Sequence, residues 1–163
     1  INTEIFENPK IIDQIAKHYG TQSIIAGIDL KKINDEYFIF TQNGNKKIKK
    51  FSRRIIEEIT DLGFGELYIQ SIDKKGSGTG LDLNILKMIP DDFHKPVIFS
   101  GGVGDSSHIA LGLKEEKISA IATSNLLNFV GSGLKNARNE LLSLGISFPE
   151  WDINQIKDLE SCY

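Results

Sequence analysis

Residues 96–106 read PVIFSGGVGDS. A short apolar run with β-branched residues, Pro96 to Ser100, meets a glycine turn at Gly101-Gly102. Asp105 or Ser106 then offers a cap for the helix that follows. An apolar run with no polar alternation is what a strand covered on both faces requires, and such strands belong to parallel sheets. The same pattern recurs in SIIAGID (Ser23 to Asp29), ELYIQSID (Glu66 to Asp73) and SAIATSN (Ser119 to Asn125).

Helical patterns separate these strands. The first is expected over Pro9 to Tyr19, with Asn8 as N-cap, Pro9 in the first turn and Gly20 as stop. Others are expected over Phe51 to Leu62, Leu83 to Ile89, Ser106 to Glu116 and Leu134 to Leu144. The run YFIFTQ (Tyr37 to Gln42) ends at the turn pair Asn43-Gly44 and reads as an extension of the first strand or a small hairpin. The lysine-rich stretch from Asn45 to Lys50 reads as a solvated loop entering a helix.

The order is therefore α-βα-βα-βα-βα, which calls for a parallel sheet with helical crossovers. An open doubly wound sheet and a (β/α)8 barrel both satisfy it. A full barrel takes about 250 residues, and four βα units in 163 residues are too few. The expected fold class is thus α/β, with half of a TIM-type barrel as a leading option.

Composition narrows the function. Nineteen basic against 22 acidic residues give a net charge of −3, without the basic excess of a nucleic-acid binder. A single cysteine, Cys162, excludes an internal disulfide framework and a multi-cysteine metal site. No apolar run is long enough for a membrane span. The opening INTEIFENPK lacks the pattern of a signal peptide, so a reducing cytoplasmic setting is expected. His18, His94 and His108 are scattered, so no metal site is expected, and nothing calls for a cofactor. Ser71, Ser100 and Ser124 lack a nucleophile-elbow context. Trp151 reads as a packing anchor of the tail, and Cys162 as an inert thiol.

Ligands of parallel α/β folds bind at the carboxyl ends of the strands. Here those ends carry Asp29, then Gln70-Ser71-Ile72-Asp73-Lys74-Lys75-Gly76, then Ser100-Gly101-Gly102, then Thr123-Ser124. Glycine and hydroxyl residues leave backbone N–H groups open to an anion. Three such ends side by side point to a phosphate site. Neither a Walker A loop nor a dinucleotide fingerprint is present. Asp29 closes an otherwise apolar strand. It is either salt-bridged to Lys31 or Lys32, or a general acid/base in a cleft. Asn2 and Thr3 read as a polar loop before the first helix.

The segments INTEIFENP, IIAGIDLKK, SIDKKGSGTGLDL, PVIFSGGVGD and ATSNLLNF, in this order, resemble the cyclase subunits of imidazole glycerol phosphate synthase, the HisF family. The resemblance runs from residue 1 to about residue 145 and corresponds to the second half of that family's barrel. It implies residues 1–145 as a C-terminal half-barrel, residues 146–163 as a tail, and a separate N-terminal half. It implies a bis-phosphate ribonucleotide substrate and ammonia delivered by a partner glutamine amidotransferase. By the resemblance, Asp29 is the second of two catalytic aspartates, and Asn2 and Thr3 are substrate and phosphate contacts. Gly76, Gly102 and Ser124 form the second phosphate site, with Ser71 and Gly101 on the same strand ends.

Some positions depart from the family pattern. Lys75 replaces an active-site aspartate, and Gln70 replaces a threonine. Asn128-Phe129 stands for His-Phe with one residue inserted, and Asn43-Gly44-Asn45 stands for a Gly-Gly-Arg turn. Three functions are compatible with these residues. One is the ammonia-using cyclase of histidine biosynthesis. Another is a HisF-like paralogue that passes ammonia to a sugar amidotransferase of surface-polysaccharide synthesis, toward which Gln70, Lys75 and the FPEWD tail lean. The last is a non-catalytic phosphate-binding half-barrel.

Overall fold

A computed structural model describes residues 1–124, 126 and 133–147. Six strands form one sheet in the order β3-β2-β1-β4-β5-β6. These are β1 (Ile25–Ile33), β2 (Glu36–Thr41), β3 (Lys46–Lys50), β4 (Glu66–Ser71), β5 (Val97–Ser100) and β6 (Ala120–Ala122). The four strands expected from the apolar runs, β1, β4, β5 and β6, pair in parallel. β2 and β3 add an antiparallel hairpin on the outer side of β1. Helices α1 (Glu4–Glu7), α2 (Lys10–Tyr19), α3 (Arg53–Thr60), α4 (Ser106–Leu113) and α5 (Gly133–Ser143) surround the strands. The architecture is a partial TIM-type (β/α) barrel: the parallel strands follow one another in chain order, β1-β4-β5-β6, without the reversal of a doubly wound sheet.

Side-chain parity explains the layering. Ala26, Ile28 and Leu30 of β1, Leu67 and Ile69 of β4, and Val97 and Phe99 of β5 are buried. They join Ile12 of α2 and Ile55, Ile56 and Ile59 of α3 in one apolar core. The alternate positions form the opposite face of the sheet. There the register aligns Ile25 with Glu66, then Gly27 with Tyr68 and Ile98, then Asp29 with Gln70 and Ser100. This second face is less covered, and Ile25 is 43% exposed.

Ile1 is built into the sheet. The Ile1 amino group donates to the Ile25 carbonyl at 2.8 Å. The Gly27 N–H donates to the Ile1 carbonyl at 2.7 Å. Together these form a parallel bridge along the part of β1 that β2 does not cover.

Several expectations need correction. Lys46–Lys50 is a strand, not a loop. Lys46, Lys49 and Lys50 pair with Glu7, Glu58 and Glu36, and the Lys47 ammonium lies 3.3 Å from the centre of the Phe38 ring. Those partners come from other elements and convert a charge run into a neutralised edge strand. Leu83–Met88 is a 3-10 segment. The first long helix begins at Lys10 with Pro9 in the capping position, one residue later than expected. The short α1 before it carried no signal that sequence periodicity detects. For α4 the cap is Asp105, whose side chain accepts from the His108 N–H at 3.2 Å. Asn128, Phe129, Trp151 and Cys162 lie outside the described residues.

Candidate functional site

A cavity of about 340 Å³ opens at the carboxyl ends of the parallel strands. β4 contributes Tyr68 and Gln70, and the turn after it contributes Lys75 and Gly76. β5 and its turn contribute Ser100, Gly101, Gly102 and Val103, while Ala122, Thr123 and Ser124 close the far wall. Of the candidate residues, the structure therefore gathers Gln70, Lys75, Gly76, Gly101, Gly102 and Ser124 around one space.

The glycines of this wall are there for close approach. Gly101 and Gly102 have φ of +105° and +94°. A Cβ on Gly101 would lie 2.4 Å from the Ser71 carbonyl oxygen, and one on Gly102 would lie 2.1 Å from that of Gly80. The Gly80 N–H donates to the Gly102 carbonyl at 2.7 Å, which clasps the two turns together. At Gly104 the N–H donates to His108 Nδ1 at 3.1 Å, tying the same turn to the first turn of α4. The result is a rim of backbone and hydroxyl groups suited to an anion.

Asp29 sits on the sheet row that contains Gln70 and Ser100. Partial burial pushes its carboxyl above the ordinary aspartate range. A hydrogen bond from Asn2 and the positive charge of Lys75 pull in the other direction. Of the two alternatives for Asp29, a salt bridge to Lys31 or Lys32 is not among the contacts of the described residues. Lys32 pairs with Asp35 at 3.1 Å instead. Asn2 Oδ1 is buried with no hydrogen-bond partner among the described residues.

Thr3 and Ser71 have other neighbours. Thr3 Oγ1 accepts from the Gln42 N–H at 3.4 Å, at the hairpin end. Ser71 is fully buried, and its hydroxyl donates to Asp73 at 3.1 Å. It alternates with Gln70 and so points to the opposite face of β4. Ser100, Val103 and Thr123, at the strand ends, also line the wall, whereas sequence reading missed Tyr68 and Ala122. The available signal was parity: Tyr68 lies two residues before Gln70, on the same face.

Among the described residues no group of three His, Cys, Asp or Glu side chains could hold a metal ion. No helix among them is long and apolar enough to cross a membrane.

A cavity framed by parallel strand ends and clasped glycine turns places this chain among the TIM-type barrel proteins. The model of the family described as histidine biosynthesis protein matches residues 1–132, and the chain belongs to that family. It is similar to an imidazole glycerol phosphate synthase subunit hisF2 of Parasynechococcus marenigrum (strain WH8102), at 37% identity over 86% of this chain and 52% of the relative. It is also similar to the imidazole glycerol phosphate synthase subunit HisF of Chlorobaculum tepidum, at 31% identity over 90% of this chain and 59% of the relative. The HisF subunit of Chlorobium phaeobacteroides (strain BS1) is 32% identical over 90% of this chain and 58% of its own. The chain thus spans between about half and three fifths of the length of these relatives.

Proposed function

We infer that residues 1–145 are the C-terminal half-barrel of a cyclase of the imidazole glycerol phosphate synthase type, with residues 146–163 as a tail. The observation that carries this reading is the row Asp29–Gln70–Ser100, which sets a carboxylate in register with the wall of a glycine-rimmed cavity. One phosphate of the substrate is held by the rim at Gly76, Gly101, Gly102 and Ser124. Asp29 then moves a proton during ammonia-driven cleavage and ring closure, and Asn2 keeps its carboxylate aimed. A glutamine amidotransferase supplies the ammonia, and the N-terminal half-barrel supplies the other catalytic acid. Residues 1–163 alone lack turnover, because the chemistry needs both acids.

The test is ammonia-dependent conversion of the histidine-pathway ribonucleotide by the complete gene product. Turnover establishes the cyclase reading. A folded protein that binds phosphate but gives no turnover rejects it.

One observation favours a second reading, a paralogue that delivers ammonia to a sugar amidotransferase. Lys75 and Gln70 line the cavity at positions where the cyclase pattern has aspartate and threonine. Loss of turnover with retained phosphate binding is the outcome this reading expects.

A further inference from the structure

Two neighbouring lysines on the turn after β4 behave differently. The Lys74 ammonium donates to Thr79 Oγ1 at 3.1 Å and braces the turn. Lys75 instead lines the cavity beside Gly76, within electrostatic reach of Asp29. Among the described residues the rest of the wall offers neutral groups: backbone amides at glycine turns, the hydroxyls of Ser100, Thr123 and Ser124, the Gln70 amide and the Tyr68 ring. Backbone dipoles hold an anion through a field that falls off steeply with distance, so the second charge of a dianion gains little from them. A full cation adds a larger and longer-ranged attraction for each unit of ligand charge, and a dianion gains twice what a monoanion does.

We propose that Lys75 is the specificity-determining cation of this cavity, selecting a terminal phosphomonoester dianion over singly charged anions such as phosphodiesters. The inference rests on the reading of the glycine rim as a phosphate site and adds the charge class of the ligand. Its positive charge also acts on Asp29, so the same ammonium offsets repulsion between a bound dianion and that carboxylate.

The experiment is calorimetric titration of the complete gene product at pH 8 with methyl phosphate, a dianion there, and dimethyl phosphate, a monoanion. Three proteins are compared: wild type, Lys75→Gln and Lys75→Arg. Lys75 is exposed on a surface turn, so both variants are expected to fold, and the arginine variant retains the charge. Lys75→Gln is expected to weaken methyl phosphate by about tenfold and dimethyl phosphate by less than about threefold. The same variant should flatten the salt dependence of methyl phosphate binding, and Lys75→Arg should restore most of both. Unchanged methyl phosphate affinity in Lys75→Gln overturns the inference and leaves the rim reading intact. Equal losses for the two ligands also overturn it, since that pattern marks a structural role. Failure of the wild-type protein to bind either ligand overturns the phosphate reading itself.

Discussion

Asp29 and Gln70 are register partners across the parallel ladder of β1 and β4, and Gln70 is in turn the partner of Ser100 on β5. This row joins a carboxylate to the wall of the glycine-rimmed cavity through sheet rather than through a loop. A site built on strands keeps its geometry when ligand leaves, so the consequences of single substitutions are well defined.

The first prediction concerns Asp29. Asp29→Asn in the complete protein should lower turnover by at least about a hundredfold while leaving substrate affinity nearly intact, because a general acid/base acts mainly in the transition state. Steady-state kinetics with a separate binding titration checks this.

The same residue carries a stability cost with a defined sign. Its carboxyl titrates above the ordinary aspartate range because burial disfavours the charge. A raised carboxyl favours folding fully at pH below the unfolded value near 4, and that contribution is lost as pH rises through the folded value. Asp29→Asn should therefore raise Tm by about 1–3 °C at pH 7 and change it little at pH 3. Melting curves at the two pH values decide the matter, and a lower Tm at pH 7 would count against it.

The rim glycines should separate into two groups. Gly101→Ala and Gly102→Ala place a methyl group on a backbone oxygen at positive φ, and each should cost at least about 3 kcal/mol. Gly76 also has positive φ, at +77°, but a Cβ there meets nothing within 4 Å. Gly76→Ala should cost only about 1–2 kcal/mol and stay folded. Denaturant unfolding of the three variants gives the ranking.

Tyr37 joins the hairpin to the loop before the 3-10 segment. Its hydroxyl donates to Asp82 Oδ2 at 2.7 Å, both residues are buried, and the phenol is held far above its usual range by burial and by that carboxylate. Tyr37→Phe leaves a buried carboxylate short of one donor and should cost about 1–3 kcal/mol. The loss should shrink when Asp82 is changed to Asn in the same chain, and a double-mutant cycle measures the coupling.

Much of this arrangement was legible because strand interiors and strand ends obey local rules. PVIFSGG and ELYIQSID announce buried strands that stop at glycine or polar turns, and the rim followed from placing those stops side by side. What escaped was decided by partners distant in sequence. Lys46–Lys50 looks like a solvated run until Glu7, Glu36 and Glu58 are brought to it. Asp29 looked ready to pair with the lysines that follow it, but β-strand alternation and the hairpin turn send Lys32 to Asp35, while the start of the chain brings Asn2 to the carboxylate. Ser71 shares the strand end with the rim residues, yet one step of parity puts it on the other side of the sheet. Periodicity applied residue by residue would have selected Tyr68 instead.

The Ile1 bridge gives β1 two kinds of neighbour along a single edge. Beyond Asp29 it runs against the antiparallel β2, and at Ala26 it is flanked by a backbone pointing its own way. Reversal of polarity halfway along one strand leaves a short template whose donors and acceptors are already phased by Ile1. Any extended segment aligned there inherits that phase, and a slip of one residue would turn its side chains to the wrong side. The Ile1 backbone thus works as an alignment key for this part of β1, fixing which face of the sheet each side chain in register with it takes.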